Sequence, residues 1–165
     1  MTITVLLLFI VLLGYAPVNE EKEEEVYLKV WHFKEHKKEM LREIEIQRRL
    51  WTIRIIESGS DYYVQGGSTE IGAYQFMPGT WREKSLKYYG EILDIRSPEH
   101  QDKVAYAWVK ELLLKGHNME ETASIWNCNS PVWEGKVGTN KYGRKYNVPR
   151  HVEKAMKTYA QYVYD

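Results

Sequence analysis

The chain has 165 residues, with 23 Lys and Arg balanced by 23 Asp and Glu. That length bounds it to one domain of ordinary size plus a short appendage, and the zero formal charge provides no field steering it to nucleic acid. Six Trp and thirteen Tyr against three Phe is a polar-tipped aromatic content, suited either to a core with locally bonded hydroxyls and indoles or to a sugar-lined cleft.

Residues 3–13, ITVLLLFIVLL, are continuously apolar and lead into Gly14-Tyr15-Ala16-Pro17. This run is long enough for the apolar region of a signal peptide and short for a comfortable membrane span. No Lys or Arg precedes it, and no Cys follows at once for lipid attachment. Residues 1–18 are therefore expected to be a signal peptide or membrane anchor on an exported chain, with possible membrane association at the N-terminus.

Residues 19–45 read as a charged linker and an amphipathic helix. Asn19 to Glu25 is a charge run without an apolar face. From Val26 the pattern turns helical, with Val26, Val30, Phe33, Met40, Leu41 and Ile44 at stripe spacing. Such a stripe packs on a domain, pairs with a partner helix or forms a stalk; the spacing leaves all three open. His32-Phe33-Lys34-Glu35-His36 matches the H-x-x-E-H zinc signature, but in a Lys/Glu-rich stretch it reads as surface histidines, and no metal is expected.

A further helix, starting near Glu43 to Gln47, carries the apolar run Leu50 to Ile56 and ends on Glu57-Ser58, where Ser58-Gly59-Ser60-Asp61 breaks it. A carboxyl at the end of an apolar helix loses hydration, which disfavours its ionised form. Kept protonated near neutrality, it can act as a general acid; many helices end in Glu-Ser, and on spacing alone a solvated helix-end acid is the favoured reading. Tyr62 to Gln65, Gly66-Gly67-Ser68 and Thr69 to Tyr74 then read as a short hairpin, because Gly-Gly between aromatic-rich runs signals a turn.

Four helical stretches follow. Thr80 is expected to cap one that runs to about Tyr89 and stops at Gly90. Ser97-Pro98 places a cap residue before a first-turn proline, opening a helix with the apolar stripe Val104, Trp108, Val109, Leu112 and Leu113. Asn118-Met119-Glu120-Glu121 has capping-box spacing and opens a third. Cys128 reads as a small buried residue. Asn127 to Gly143 is a loop too long to be a mere connector, and a candidate cleft wall. Val148, Val152, Met156, Tyr159 and Val163 mark the face of a last helix.

Glu57-Ser58, then Gly72-Ala73-Tyr74-Gln75-Phe76-Met77-Pro78 with Thr80, resembles the catalytic motifs of lytic transglycosylases of the soluble (SLT) type, in the goose-type branch of the lysozyme-like superfamily. Ala123-Ser124-Ile125-Trp126-Asn127 resembles that family's Ala-Tyr-Asn element, and Tyr146 to Val152 more loosely its Tyr-Val motif. The wording is also similar to resuscitation-promoting factors. These motifs run in family order across residues 46–162.

The resemblance implies a mainly α lysozyme-like (α+β) domain over residues 46–165, with a small β-hairpin beside the cleft. It implies a monomer that needs no cofactor and takes peptidoglycan glycan strands as its partner. Glu57 would protonate the glycosidic oxygen and then act as base, yielding 1,6-anhydro-muramic ends. Ser58 would orient Glu57 or touch the substrate. Gly72 and Gln75 would shape the cleft floor, while Tyr74, Trp126 and Asn127 would contact substrate. Tyr146 would be the tyrosine near the acid.

The family's first Gly-Ala is replaced by Thr69-Glu70, and Asn129 stands for a later Gly. Asp61 and Glu70 are nearby acids that could instead hold a water for lysozyme-type hydrolysis. A non-catalytic tethered glycan-binding module and a zinc hydrolase on His32 and His36 are the readings from other classes.

Overall fold

In a computed structural model the structure describes residues 20–67, 69–139, 143 and 145–162, with side chains from residue 24 onward. The apolar segment 3–13, Ser68 and Val163 lie outside the described residues. The protein is mainly helical. Its elements are α1 (Glu20–Ser58), α2 (Pro78–Tyr89), α3 (Pro98–Leu114), α4 (Met119–Cys128), β1 (Val137–Thr139), β2 (Lys145–Asn147) and α5 (Val148–Tyr159).

The chain divides into two compact units, residues 1–42 and 43–165. In the first, the residues from Glu20 on are helical, not a linker followed by a separate helix as expected. The reason is local: no Gly or Pro occurs between Pro17 and Gly59, and Glu-to-Lys pairs such as Glu25–Lys29 at 2.6 Å support an exposed helix. The stripe Val26, Val30, Phe33, Met40 and Leu41 is exposed. Among the described residues, no helix is long and apolar enough to cross a membrane.

In the second unit, Ile46, Leu50, Ile53 and Ile56 of α1 are all buried. Each buried aliphatic side chain contributes about 1.5–3 kcal/mol relative to exposure, so this stripe outweighs any single polar contact along the helix. Arg49 is buried with it, donating to Glu45 at 2.7 Å, the His117 carbonyl at 2.8 Å and Thr122 Oγ1 at 2.9 Å. Those bonds pair Nε and Nη1 and let the guanidinium lie against the core. From α3, Val104, Ala105, Trp108, Val109 and Leu112 join the same core, and from α5 Val148, Val152 and Ala155. Helix α2 packs on α3 and α4 on α5.

The helix boundaries follow their chemistry. Ser97 caps α3 ahead of Pro98, accepting from the His100 N–H at 3.3 Å. Asn118 and Glu121 form the reciprocal capping box of α4. Gly90 ends α2 at φ 76°, a conformation that favours glycine. Thr80 does not cap α2: Met77 is the N-cap, without a side-chain bond, because Pro78 at the first turn removes one of the amides needing a partner.

At the expected hairpin the pairing is minimal: Gln65 bridges Ile71 in antiparallel fashion, the Gly66 N–H donates to the Glu70 carbonyl at 2.7 Å and the Gly72 N–H to the Val64 carbonyl at 2.8 Å, and Ile71 bridges Phe76. The regular two-stranded antiparallel pair is β1–β2, joining Val137 to Asn147 and Thr139 to Lys145, with β1 inside the stretch expected to be a loop and β2 just after it. Its strands are three residues each and largely exposed, so no alternating apolar pattern announces them. Cys128 is half-buried, not buried.

Candidate functional site

Helix α1 delivers Glu57 to its C-terminal end, where the chain turns sharply. Gly59 and Ser60 both take φ 70°, and their N–H groups bond back to the Ile55 carbonyl at 3.2 Å and the Arg54 carbonyl at 3.0 Å. The Ile56 carbonyl is taken by Lys154 Nζ of α5 at 2.6 Å. The helix end is thus closed by its own turn and by a lysine from elsewhere in the fold.

The Glu57 side chain is 17% exposed. Burial raises its pKa to about 7; the Lys154 charge pulls it down and the Glu70 charge pushes it up. Glu57 lines a polar cleft of about 250 Å³ with Gly67, Glu70, Gln75, Met77, Trp126 and Asn127. Size does not single this cleft out. Cavities of about 340 Å³ beside Arg54 and Asp102 and about 390 Å³ beside Tyr62 and Arg96 are larger. What distinguishes the Glu57 cleft is a desolvated acid among amide and indole groups.

His151 of α5 faces that acid. Its Nε2 lies 3.6 Å from Glu57 Oε1 and is buried without a hydrogen-bond partner. Burial, and then the Lys154 charge, lower its pKa to about 4. Between these two values both groups are uncharged, so the contact is a neutral acid beside a neutral imidazole rather than an ion pair.

Of the residues expected at the site, Glu57, Gln75, Trp126 and Asn127 share the cleft. Gln75 stands at φ 48°, unusual for a residue with a side chain, and its Nε2 donates to the Gly72 carbonyl at 2.9 Å. Trp126 donates from Nε1 to the Tyr74 carbonyl at 3.1 Å and stacks on Trp108, with ring centroids 4.3 Å apart. These contacts hold Gln75 and Trp126 where they are before any ligand arrives.

The other expected residues do different work. Ser58 Oγ donates to the Ala73 carbonyl at 2.9 Å and accepts from the Asp61 N–H at 3.0 Å. It therefore staples the helix end to the loop. Gly72 lies against Gln101 beneath the loop and is not part of the cleft lining. Tyr74 is buried, its hydroxyl donating to Asp102 at 2.7 Å; it is a core residue that meets Trp126 with both its carbonyl and its ring, the ring centroids 6.0 Å apart. Tyr146 is exposed on β2, its ring against Gly138 rather than lining the cleft.

His151 was not among the residues expected at the site. The available signal was its position near the start of a capped helix: Asn147 caps α5, accepting from the Arg150 N–H at 2.9 Å, and Val148 and Val152 are the buried face. His151, next to that face, turns toward α1. Of the two acids considered for hydrolysis, Glu70 lines the cleft. Asp61 instead accepts from the Tyr63 N–H at 2.8 Å in the turn.

Among the described residues, no group of three or more His, Cys, Asp and Glu side chains is placed to hold a metal ion. Compared with known proteins, the chain matches no family model, no curated protein and no solved structure.

Proposed function

We propose that the chain is a peptidoglycan lytic transglycosylase with a lysozyme-like domain, cleaving the β-1,4 bond between MurNAc and GlcNAc. The observation that carries this reading is the Glu57 carboxyl, held protonated up to about pH 7 by burial and facing a cleft that it shares with Gln75, Trp126 and Asn127. The order of the Glu57-Ser58, Gly72 to Pro78 and Ala123 to Asn127 motifs supports it as well.

In this mechanism Glu57 gives its proton to the glycosidic oxygen as the bond breaks. The sugar's own N-acetyl group stabilises the positive centre, and the resulting Glu57 carboxylate then takes the proton of the attacking 6-hydroxyl. The acid is restored and a 1,6-anhydro end is left. No second carboxylate and no cofactor is required. The same reading makes the chain an exported enzyme of the cell envelope, with residues 1–18 as its signal or anchor.

Glu70 gives specific support to a second reading, hydrolysis. A carboxylate in the same cleft as the acid can hold a water for attack on the sugar, as in two-carboxylate glycosidases. Mass analysis of digested peptidoglycan decides between the two. Transglycosylation leaves anhydro ends lacking one water, whereas predominantly hydrolysed ends replace the first reading with the second. If Glu57→Gln cleaves as well as the parent protein, both fail.

A further inference from the structure

The imidazole beside Glu57 has a buried nitrogen with nothing else to bond. His151 Nε2 is excluded from solvent and without a hydrogen-bond partner, and Glu57 Oε1, at 3.6 Å, faces it. Buried polar groups are almost always paired, and hydrogen bonds in active sites are commonly long before a substrate is bound. A shift of a few tenths of an ångström makes this contact a bond.

We propose that His151 is a positioning residue for Glu57, donating from Nε2 to Oε1 so that the proton destined for the substrate stays on the other carboxyl oxygen. This rests on the reading of Glu57 as the general acid. A neutral imidazole carries one N–H and one bare nitrogen, so two arrangements compete. With Nε2 bare, Glu57 would donate its proton to the ring and hide it from the cleft. With the hydrogen on Nε2, Oε1 is occupied as an acceptor and the acid's own proton is free to face the cleft.

The donor arrangement also suits the second half of a proton cycle. Once Glu57 has given up its proton, the same N–H stabilises the carboxylate without itself moving. His151 thus undergoes no change of charge. The other charged groups facing the pair are Lys154, on the same helix and held at the Ile56 carbonyl, and Glu70 from the loop. Nε2 is bonded to neither and faces Oε1, so the imidazole is the group placed to fix the carboxyl's orientation.

The two arrangements predict opposite signs. A donor to Oε1 favours the carboxylate, so removing it raises the Glu57 pKa; an acceptor favours the acid, so removing it lowers that pKa. The experiment titrates the Glu57 side-chain carboxyl by carbon-13 NMR in the full chain, in the parent and in His151→Phe, His151→Ala and His151→Gln. Expected is a rise on the order of one unit in the Phe and Ala variants, with Gln, which retains an N–H donor, close to the parent.

Cleavage of peptidoglycan is measured on the same proteins. Loss of the donor is expected to lower kcat roughly tenfold to a hundredfold with KM little changed, and His151→Gln to recover most of it. A fall in the Glu57 pKa, no change in it, or equal losses of kcat in the Gln and Phe variants overturns the proposal. The carboxyl titration does not depend on turnover. A parent protein without cleavage activity therefore sinks the enzyme reading and leaves the His151 contact judged on its own.

Discussion

The side chain of Gln101 fills the space that a Cβ on Gly72 would need: such an atom would sit 2.0 Å from Gln101 Oε1. Gln101 is fully buried. Its Oε1 accepts from the Ala73 N–H at 2.9 Å, and its Nε2 donates to the Tyr62 carbonyl at 3.0 Å and the Ile95 carbonyl at 2.9 Å. One amide from α3 therefore ties together Tyr62 and Ala73, the latter two residues ahead of Gln75, and the Ile95 segment.

Gly72→Ala is expected to break this arrangement. Gly72 stands at φ 78°, where a Cβ is strained, and the amide behind it is fixed by three bonds and has no free direction in which to retreat. Strain and displaced bonds together cost about 3 kcal/mol, a fall in Tm of roughly 10 °C. Thermal unfolding followed by circular dichroism checks it. An unchanged Tm would mean that the loop is not anchored through Gln101.

How much of this was legible in the sequence depended on range. Ser97-Pro98, Gly90 and the Asn118 capping box were readable because a cap is decided within four residues. Glu57 was only half readable: the apolar run that desolvates it precedes it directly, yet spacing alone fits a solvated helix-end acid as well, and the motif resemblance is what singled it out. The continuous α1 was equally local, yet the charge run obscured it: the absence of Gly and Pro through residue 58 was the better guide. His151 and Gln101 were not legible. Each acquires its role from a residue far away in the chain, Glu57 and Ala73, and no local pattern encodes that meeting. Tyr146 failed for the converse reason: a plausible residue type near the right position landed on an exposed strand.

Burial of Glu57 has a measurable consequence for stability. Its pKa is raised from the ordinary 4.5 to about 7 in the folded protein, so the native state holds a proton that the unfolded chain releases. The two states are matched below about pH 4.5, and folding is progressively penalised as pH rises to about 7, by about 3 kcal/mol at most. Glu57→Gln, which carries no charge to desolvate, should therefore stabilise the protein at pH 8 and leave it nearly unchanged at pH 4. Urea unfolding of both proteins at the two pH values measures this. Equal effects at both would show that Glu57 is not held protonated. If Glu57 is the proposed acid, such a gain on its removal is the usual exchange between activity and stability.

On the proposed reading, the same shift sets the pH dependence of cleavage. An acid must be protonated to donate, so kcat/KM should fall above about pH 7 as Glu57 ionises. The neighbouring charges give the limb a direction. The Lys154 charge pulls the Glu57 pKa down and the Glu70 charge pushes it up. Lys154→Met should therefore carry the falling limb to higher pH, and Glu70→Gln should carry it lower. Rates across pH 5 to 9 for the three proteins test the signs. Glu70→Gln has a second readout: it should abolish hydrolysed ends if the water-holding mechanism operates, and leave anhydro ends if it does not.

Removing residues 1–42 should leave the second unit folded and active. The start of that unit is fastened independently of what precedes it. Glu43 accepts from the Tyr106 hydroxyl at 2.6 Å, Glu45 from the Tyr159 hydroxyl at 2.6 Å, and Arg48 donates to the Tyr159 carbonyl at 2.8 Å. From Glu24 to Leu41, by contrast, every side chain is exposed. Helix propensity upstream of Glu43 contributes little that these anchors do not already supply, because tertiary packing dominates helix stability in proteins. The truncated chain is expected to keep a single cooperative unfolding transition within a few degrees of the parent, and to keep its cleavage of peptidoglycan. The cut also separates the glycosidase from the zinc alternative, since His32 and His36 are lost with the segment. Activity that vanished with residues 1–42, and that in the parent was lost to a chelator, would transfer the chemistry to that histidine pair and away from Glu57.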